Sequence, residues 1–126
     1  MCTGSKPAPI TITVTAFDSN PCQPSLSDGE HQAPPGQSKE FVTKVKKGQT
    51  VMFRVGGDIQ EITAITEGPG SDIFEQDPSK SNNWTGVIGK LDKEDTREYS
   101  VSYSMKANPG ESSVLCSVDP KLQMSN

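Results

Sequence analysis

The feature that most constrains the fold is a strict two-residue alternation near each end of the chain. Apolar side chains alternate with threonine at residues 10 to 17, ITITVTAF. At 98 to 105, EYSVSYSM, Tyr99, Val101, Tyr103 and Met105 alternate with Ser100, Ser102 and Ser104. Successive side chains of a strand point to opposite faces, so each segment predicts a strand with one face buried and the other wet. Shorter β-rich runs lie around and between them. FVTKV at 41 to 45 and TVMFRV at 50 to 55 flank KKGQ, a tight glycine-containing connection, and Val51, Phe53 and Val55 share one face. EITAITE at 61 to 67 is rich in β-branched residues, but Ile62 and Ile65 fall on opposite faces, which a bulge would reconcile. TGVIGKL at 85 to 91, VLCSV at 114 to 118 and KLQM at 121 to 124 complete the set. Residues 18 to 40 and 68 to 83 carry Pro, Gly and polar residues without periodicity and predict long loops, and 91 to 96 predicts a charged turn.

About seven to eight short strands spaced by Pro/Gly loops, with no helix longer than a turn, predict an all-β fold, a single Greek-key β-sandwich over residues 10 to 126. Residues 1 to 9, small, polar and proline-containing, predict a flexible N-terminal tether. A length of 126 residues suits one ordinary domain. Only 31% of the residues are hydrophobic, which fits two sheets with solvated outer faces filled by Ser and Thr. A formal net charge of -4 and the absence of a basic cluster beyond Lys44, Lys46 and Lys47 argue against nucleic acid as a partner. No stretch reaches the roughly 20 apolar residues of a membrane span.

The stretch from Ile10 to Met124 resembles the cupredoxin-like and immunoglobulin-like sandwiches of bacterial envelope proteins. VKKGQTVMFRV looks like the G-x-x-V-x-F strand opening of cupredoxins, and the closing VLCSVDPKLQM places Cys116, Asp119 and Met124 on their Cys-x-x-His-x-x-x-x-Met spacing with the histidine replaced. The resemblance implies a ligand loop before the last strand and a first histidine ligand after the strand matching TVMFRV. The nearest residues there are Asp58, Gln60 and Glu61, and the sole histidine, His31, lies elsewhere. A blue-copper centre needs two imidazoles with a thiolate and a weak axial Met. No cofactor is therefore expected, and a metal centre of Cys116, Asp119, Met124 and His31 stands as the alternative.

The three cysteines invite separate readings. Cys2 with the following TGSKPAP resembles the start of a mature bacterial lipoprotein, which implies acylation at Cys2, a lipid anchor as the one membrane attachment, and a periplasmic or cell-surface location. An incidental N-terminal cysteine is the other reading. Cys22 and Cys116 are a candidate disulfide, suited to that oxidising setting, or two separate buried thiols.

Catalysis finds no candidate set. No G-x-S-x-G or phosphate loop occurs, His31 lacks a nameable triad partner, and Asp92, Glu94 and Asp95 interleave with Lys93 and Arg97 as a solvated cluster. Asp18, Asp28, Glu30 and His31 share one loop without EF-hand spacing. Phe74 and Trp84 form a candidate stacking platform for a sugar ring if exposed, and core residues otherwise. Asn83, Trp84 and Thr85 form a glycosylation sequon, relevant only to a secreted eukaryotic protein. The expectation is a non-catalytic exported module that binds a protein or glycan through loops 18 to 40 and 68 to 83, with an assembly module pairing through a strand edge as a third reading.

Overall fold

A computed structural model of the protein describes residues 8–67, 73–89 and 96–124, apart from the side chain of Met124. The expectations for Cys2, for most of the tether and for the charged turn lie outside these, as does any role of the Met124 side chain in a metal set. Eleven strands are present among the described residues: β1 (Ile10–Ala16), β2 (Ser25–Ser27), β3 (Gln32–Ala33), β4 (Val42–Val45), β5 (Thr50–Gly57), β6 (Ile59–Glu67), β7 (Phe74–Gln76), β8 (Thr85–Ile88), β9 (Thr96–Met105), β10 (Leu115–Val118) and β11 (Lys121–Met124). The only helical elements among these residues are two 3-10 turns, Ser38–Glu40 and Lys80–Asn82, so none is long enough to cross a membrane.

The strands form two mixed sheets, an arrangement consistent with a β-sandwich. One has the order β3-β2-β1-β5-β8-β7. In the other, β6 lines one edge of β9, while β10 and β11 follow one another along its opposite edge, and β4 pairs outside β11. Each sheet contains one parallel pair, β1 with β5 and β4 with β11. A parallel pair cannot be joined by a hairpin, so the chain crosses between sheets before it returns to each.

Both alternating segments bury the faces expected of them. Ile12, Val14 and Ala16 of β1 and Tyr99, Val101, Tyr103 and Met105 of β9 are almost wholly excluded from water. The two sheets meet in one apolar cluster, where Phe53 of β5 and Tyr99 of β9 pack edge to face at 5.6 Å between ring centres. In β6 the register shifts against β9 between Ile62 and Ala64, and the extra residue turns both Ile62 and Ile65 toward the core.

Three short strands, β2, β3 and β7, lie inside segments read from sequence as loops, which accounts for eleven strands against the expected seven or eight. Two or three residues are too few to show a period. What holds these segments extended is pairing to a neighbour: β2 lies along β1, β3 along β2 and β7 along β8.

Candidate functional site

At the end of the molecule where β1, β5 and β9 finish, three connections converge. The chain leaves β1 through Phe17 and Asp18, turns from β5 to β6 at Gly57 and Asp58, and leaves β9 into residues 106–114. Asp58 ties them together. Its carboxylate accepts the Asp18 N–H at 3.0 Å, its N–H donates to the Ala16 carbonyl at 2.7 Å, and its own carbonyl accepts the Lys106 N–H at 2.8 Å. The β5–β6 turn is tight enough to demand glycine: Gly57 has φ +68°, and a Cβ there would stand 2.4 Å from the Ala16 carbonyl oxygen.

The loop after β1 is also clamped from the other sheet. Cys22 is disulfide-bonded to Cys116 of β10, with 5.1 Å between their Cα atoms, and the Tyr103 phenol donates to the Pro21 carbonyl at 2.7 Å. Burial pushes that phenol up to about 12, so it holds its proton for this bond throughout the neutral range. Between these clamps lies an open depression of about 490 Å³ lined by Asp18, Pro21, Asp58, Lys106, Glu111 and Val114, among others.

Exposed apolar side chains lie along the same connections or next to them in sequence. Phe17 is 55% exposed, Val114 47% and Leu115 71%, and no other large hydrophobic side chain among the described residues is as exposed. The Phe17 ring lies over the Gly57 turn. Val114 lines the depression itself, and Leu115 projects from β10 on the face opposite the buried Cys116. Sequence reasoning passed over all three, although two carried a signal. Phe17 is the one apolar residue on the threonine face of its alternating segment, and Leu115 is out of phase with Cys116 and Val118. An apolar side chain on a solvated strand face is the kind of exposure that marks a contact surface.

The residues singled out from sequence are distributed differently. Phe74 is 5% exposed and belongs to the core, and Trp84 is half-buried against the same cluster, so the pair does not offer the exposed stacking platform considered for a sugar. Close packing explains this: the Phe74 ring lies directly over Gly86, 2.9 Å from where a Cβ there would be. Trp84 also follows Asn83 in the left-handed region, both with φ 57°. The strain is costly for a bulky residue, and the bonds around Asn82 hold the turn. The Asn82 side chain accepts the Ser79 and Thr85 N–H groups at 2.8 and 3.1 Å.

The alternative metal set is not assembled. Cys116 is bound to Cys22, and a disulfide sulfur is not the thiolate that ligates copper. Asp119 accepts the Ser100 hydroxyl at 2.5 Å, and His31 stands in the β2–β3 hairpin, 3.7 Å from Asp28. The backbone of Met124 pairs with Val45. Among the described residues, no three His, Cys, Asp or Glu side chains form a group able to hold a metal ion. Nor is Cys116 in a loop. It faces Tyr103 within the β10 ladder, and the connection preceding that last strand line is 106–114, a segment with neither cysteine nor histidine.

No protein-family model matches the chain, and a search of curated proteins finds no significant match.

Proposed function

We propose that the chain is a non-catalytic binding module on a cupredoxin-like sandwich, exported and anchored through Cys2, which docks a protein partner at the rim formed by Phe17, Val114 and Leu115. The observation that carries this reading is the coincidence of the exposed apolar side chains with the most firmly clamped loops. Loops fixed before binding lose less conformational freedom when a partner arrives. Asp18, Asp58 and Glu111 beside the apolar side chains favour a partner whose own apolar patch is edged by lysine or arginine. Export is supported by the disulfide, which persists in oxidising compartments.

The cupredoxin-like reading is favoured over the immunoglobulin-like one by where the depression lies. It sits between the turn after β5 and the connection before the last strand line, the two places from which that family draws its metal ligands. Here they offer Asp58, Asn108 and Glu111 in place of imidazole and thiolate. A protein partner is favoured over a glycan because, of the aromatic pair that would stack on a sugar, Phe74 is packed into the core and Trp84 is half-buried against it.

Affinity capture with the immobilised protein, run beside a Phe17→Ser/Leu115→Ser double variant of matched thermal stability, tests the proposal. A protein retained by the first and lost by the second is the expected result. Equal retention by both, or a glycan ligand whose binding is lost in Trp84→Ala, would overturn it.

A further inference from the structure

A second cleft lies on the open side of the sandwich, between the residues that lead into β1, the β2–β3 hairpin and β4. It has a volume of about 400 Å³ and is lined by Asp28, Glu30, Thr43, Lys44 and Lys46, with Ala8, Pro9, Ile10 and Gln49 closing it. Gln49 serves the walls. Its side-chain N–H donates to the Ala8 carbonyl at 2.7 Å and its oxygen accepts the Lys46 N–H at 2.9 Å.

At the inner end stands Asp28, whose side chain is only 4% exposed. One carboxylate oxygen accepts the N–H groups of His31 and Glu30 at 2.7 and 2.9 Å. The other has the His31 ring 3.7 Å away, and no lysine or arginine pairs with it among the described residues. Burial alone would raise the carboxyl pKa, but the His31 and Glu30 N–H groups, the Thr43 hydroxyl and the nearby His31 ring together outweigh it, and the group is held below its usual range. It is therefore a carboxylate at neutral pH, buried and without a lysine or arginine partner among the described residues.

Thr43, 1% exposed, stands beside the same carboxylate, where its hydroxyl favours the charged form as a weak donor, although no partner lies at full hydrogen-bonding distance and angle. Deeper in, the hydroxyl of Tyr99 is likewise without a partner, and its pKa is raised by burial and by the charge of Asp28. Buried hydroxyls in folded proteins are nearly always bonded, so a free one lining a cleft marks a position where a ligand group completes the set. The outer walls carry both signs: the exposed Glu30 stands on the hairpin side, and the exposed Lys44 and Lys46 line the same space from the β4 side.

We propose that this cleft binds a small zwitterion of the amino-acid class, its ammonium group received by Asp28 and Thr43 and its carboxylate facing Lys44 and Lys46. An ammonium group is a compact triple donor that suits a carboxylate and a hydroxyl oxygen, and it supplies the counter-charge that Asp28 lacks. The rim lysines disfavour a bare cation and favour a ligand with an anionic end. The site is separate from the Phe17–Leu115 rim and does not rest on the partner proposed there.

Titration of the 15N-labelled protein with 4-aminobutanoate, with butylamine and butanoate as its two halves, tests this. Saturable shifts of the Asp28, Glu30, Thr43 and Lys44 amides at up to about 10 mM ligand are expected, with each half-molecule at least about ten-fold weaker. Thr43→Val should weaken the zwitterion by about ten-fold without loss of fold, since valine keeps the shape of the buried side chain and only a weak bond to Asp28 is lost. Lys44→Gln/Lys46→Gln, on exposed positions, should remove the preference for zwitterion over butylamine. The absence of saturable shifts overturns the proposal. Equal binding of butylamine, or unchanged affinity in Thr43→Val and in the lysine variant, overturns it as well.

Discussion

At the Cys22–Cys116 rim, the loop after β1 is held by a covalent bond, by the Tyr103 phenol and by the Asp58 carboxylate, and its apolar side chains point outward. At the β2–β3 hairpin the order is reversed: one carboxylate, Asp28, turns inward and gathers the hairpin's own N–H groups, while two hydroxyls beside it go unmet. The same strand serves both regions. Tyr99 and Tyr103 lie on one face of β9, four residues apart, and only the second has a partner for its hydroxyl. Satisfied polar groups fix a rim on which something can dock; unsatisfied ones leave a cleft that something can complete.

Removing the covalent clamp separates the regions most strongly. Cys22→Ser/Cys116→Ser should lower stability by roughly 4 kcal/mol, because the bond spans 94 residues of sequence and long closed loops gain most from it. The check is the midpoint of urea unfolding, with amide exchange accelerating at residues 18–24 and much less in the hairpin. Next in size is Gly57→Ala, expected to cost roughly 2 to 4 kcal/mol through the backbone clash and the left-handed φ, and to disturb the rim alone. An unchanged melting temperature in this variant would show that the turn is free to relax.

The tyrosines sharpen the contrast at a smaller scale. Tyr103→Phe should lose roughly 1 kcal/mol with the bond to Pro21, whereas Tyr99→Phe should be neutral or slightly stabilising because it removes an unpaired buried hydroxyl. Equal losses in the two variants, measured by chemical denaturation, would erase the distinction between the regions.

The smallest effect concerns pH. The Asp28 carboxyl is held below its ordinary 3.8: burial raises it, and the His31 and Glu30 N–H groups, the Thr43 hydroxyl and the His31 ring together more than offset that. Its contribution to stability is therefore fully present above that value and is lost as pH falls below it through the folded-state value. Asp28→Asn should flatten the acid limb of a stability profile below pH 3.8 and leave the neutral plateau shape unchanged.

Strand content was the most legible part of the sequence, because an alternation of four apolar residues with threonine or serine admits one periodicity. The copper-like spacing of Cys116, Asp119 and Met124 was legible too, but it coincides with strand alternation and a disulfide. Leu115, Cys116, Ser117 and Val118 are themselves an alternating strand, entered from the connection 106–114 and paired to β9. The adjacency of that connection to Asp58 arises from the return of β9 beside β6, a pairing between segments some forty residues apart that local patterns do not encode. Asp28 was hidden for a related reason. In sequence it is one of several acidic loop residues, and only the folding of its hairpin against β4 buries it next to Thr43.

The bond between Cys22 and Cys116 has one more consequence. It closes most of the polypeptide into a ring, from the first loop to the penultimate strand. A single proteolytic nick anywhere between those cysteines opens the ring without releasing a fragment. The cut protein keeps its mass apart from one added water, and its two pieces separate only when a reductant is added.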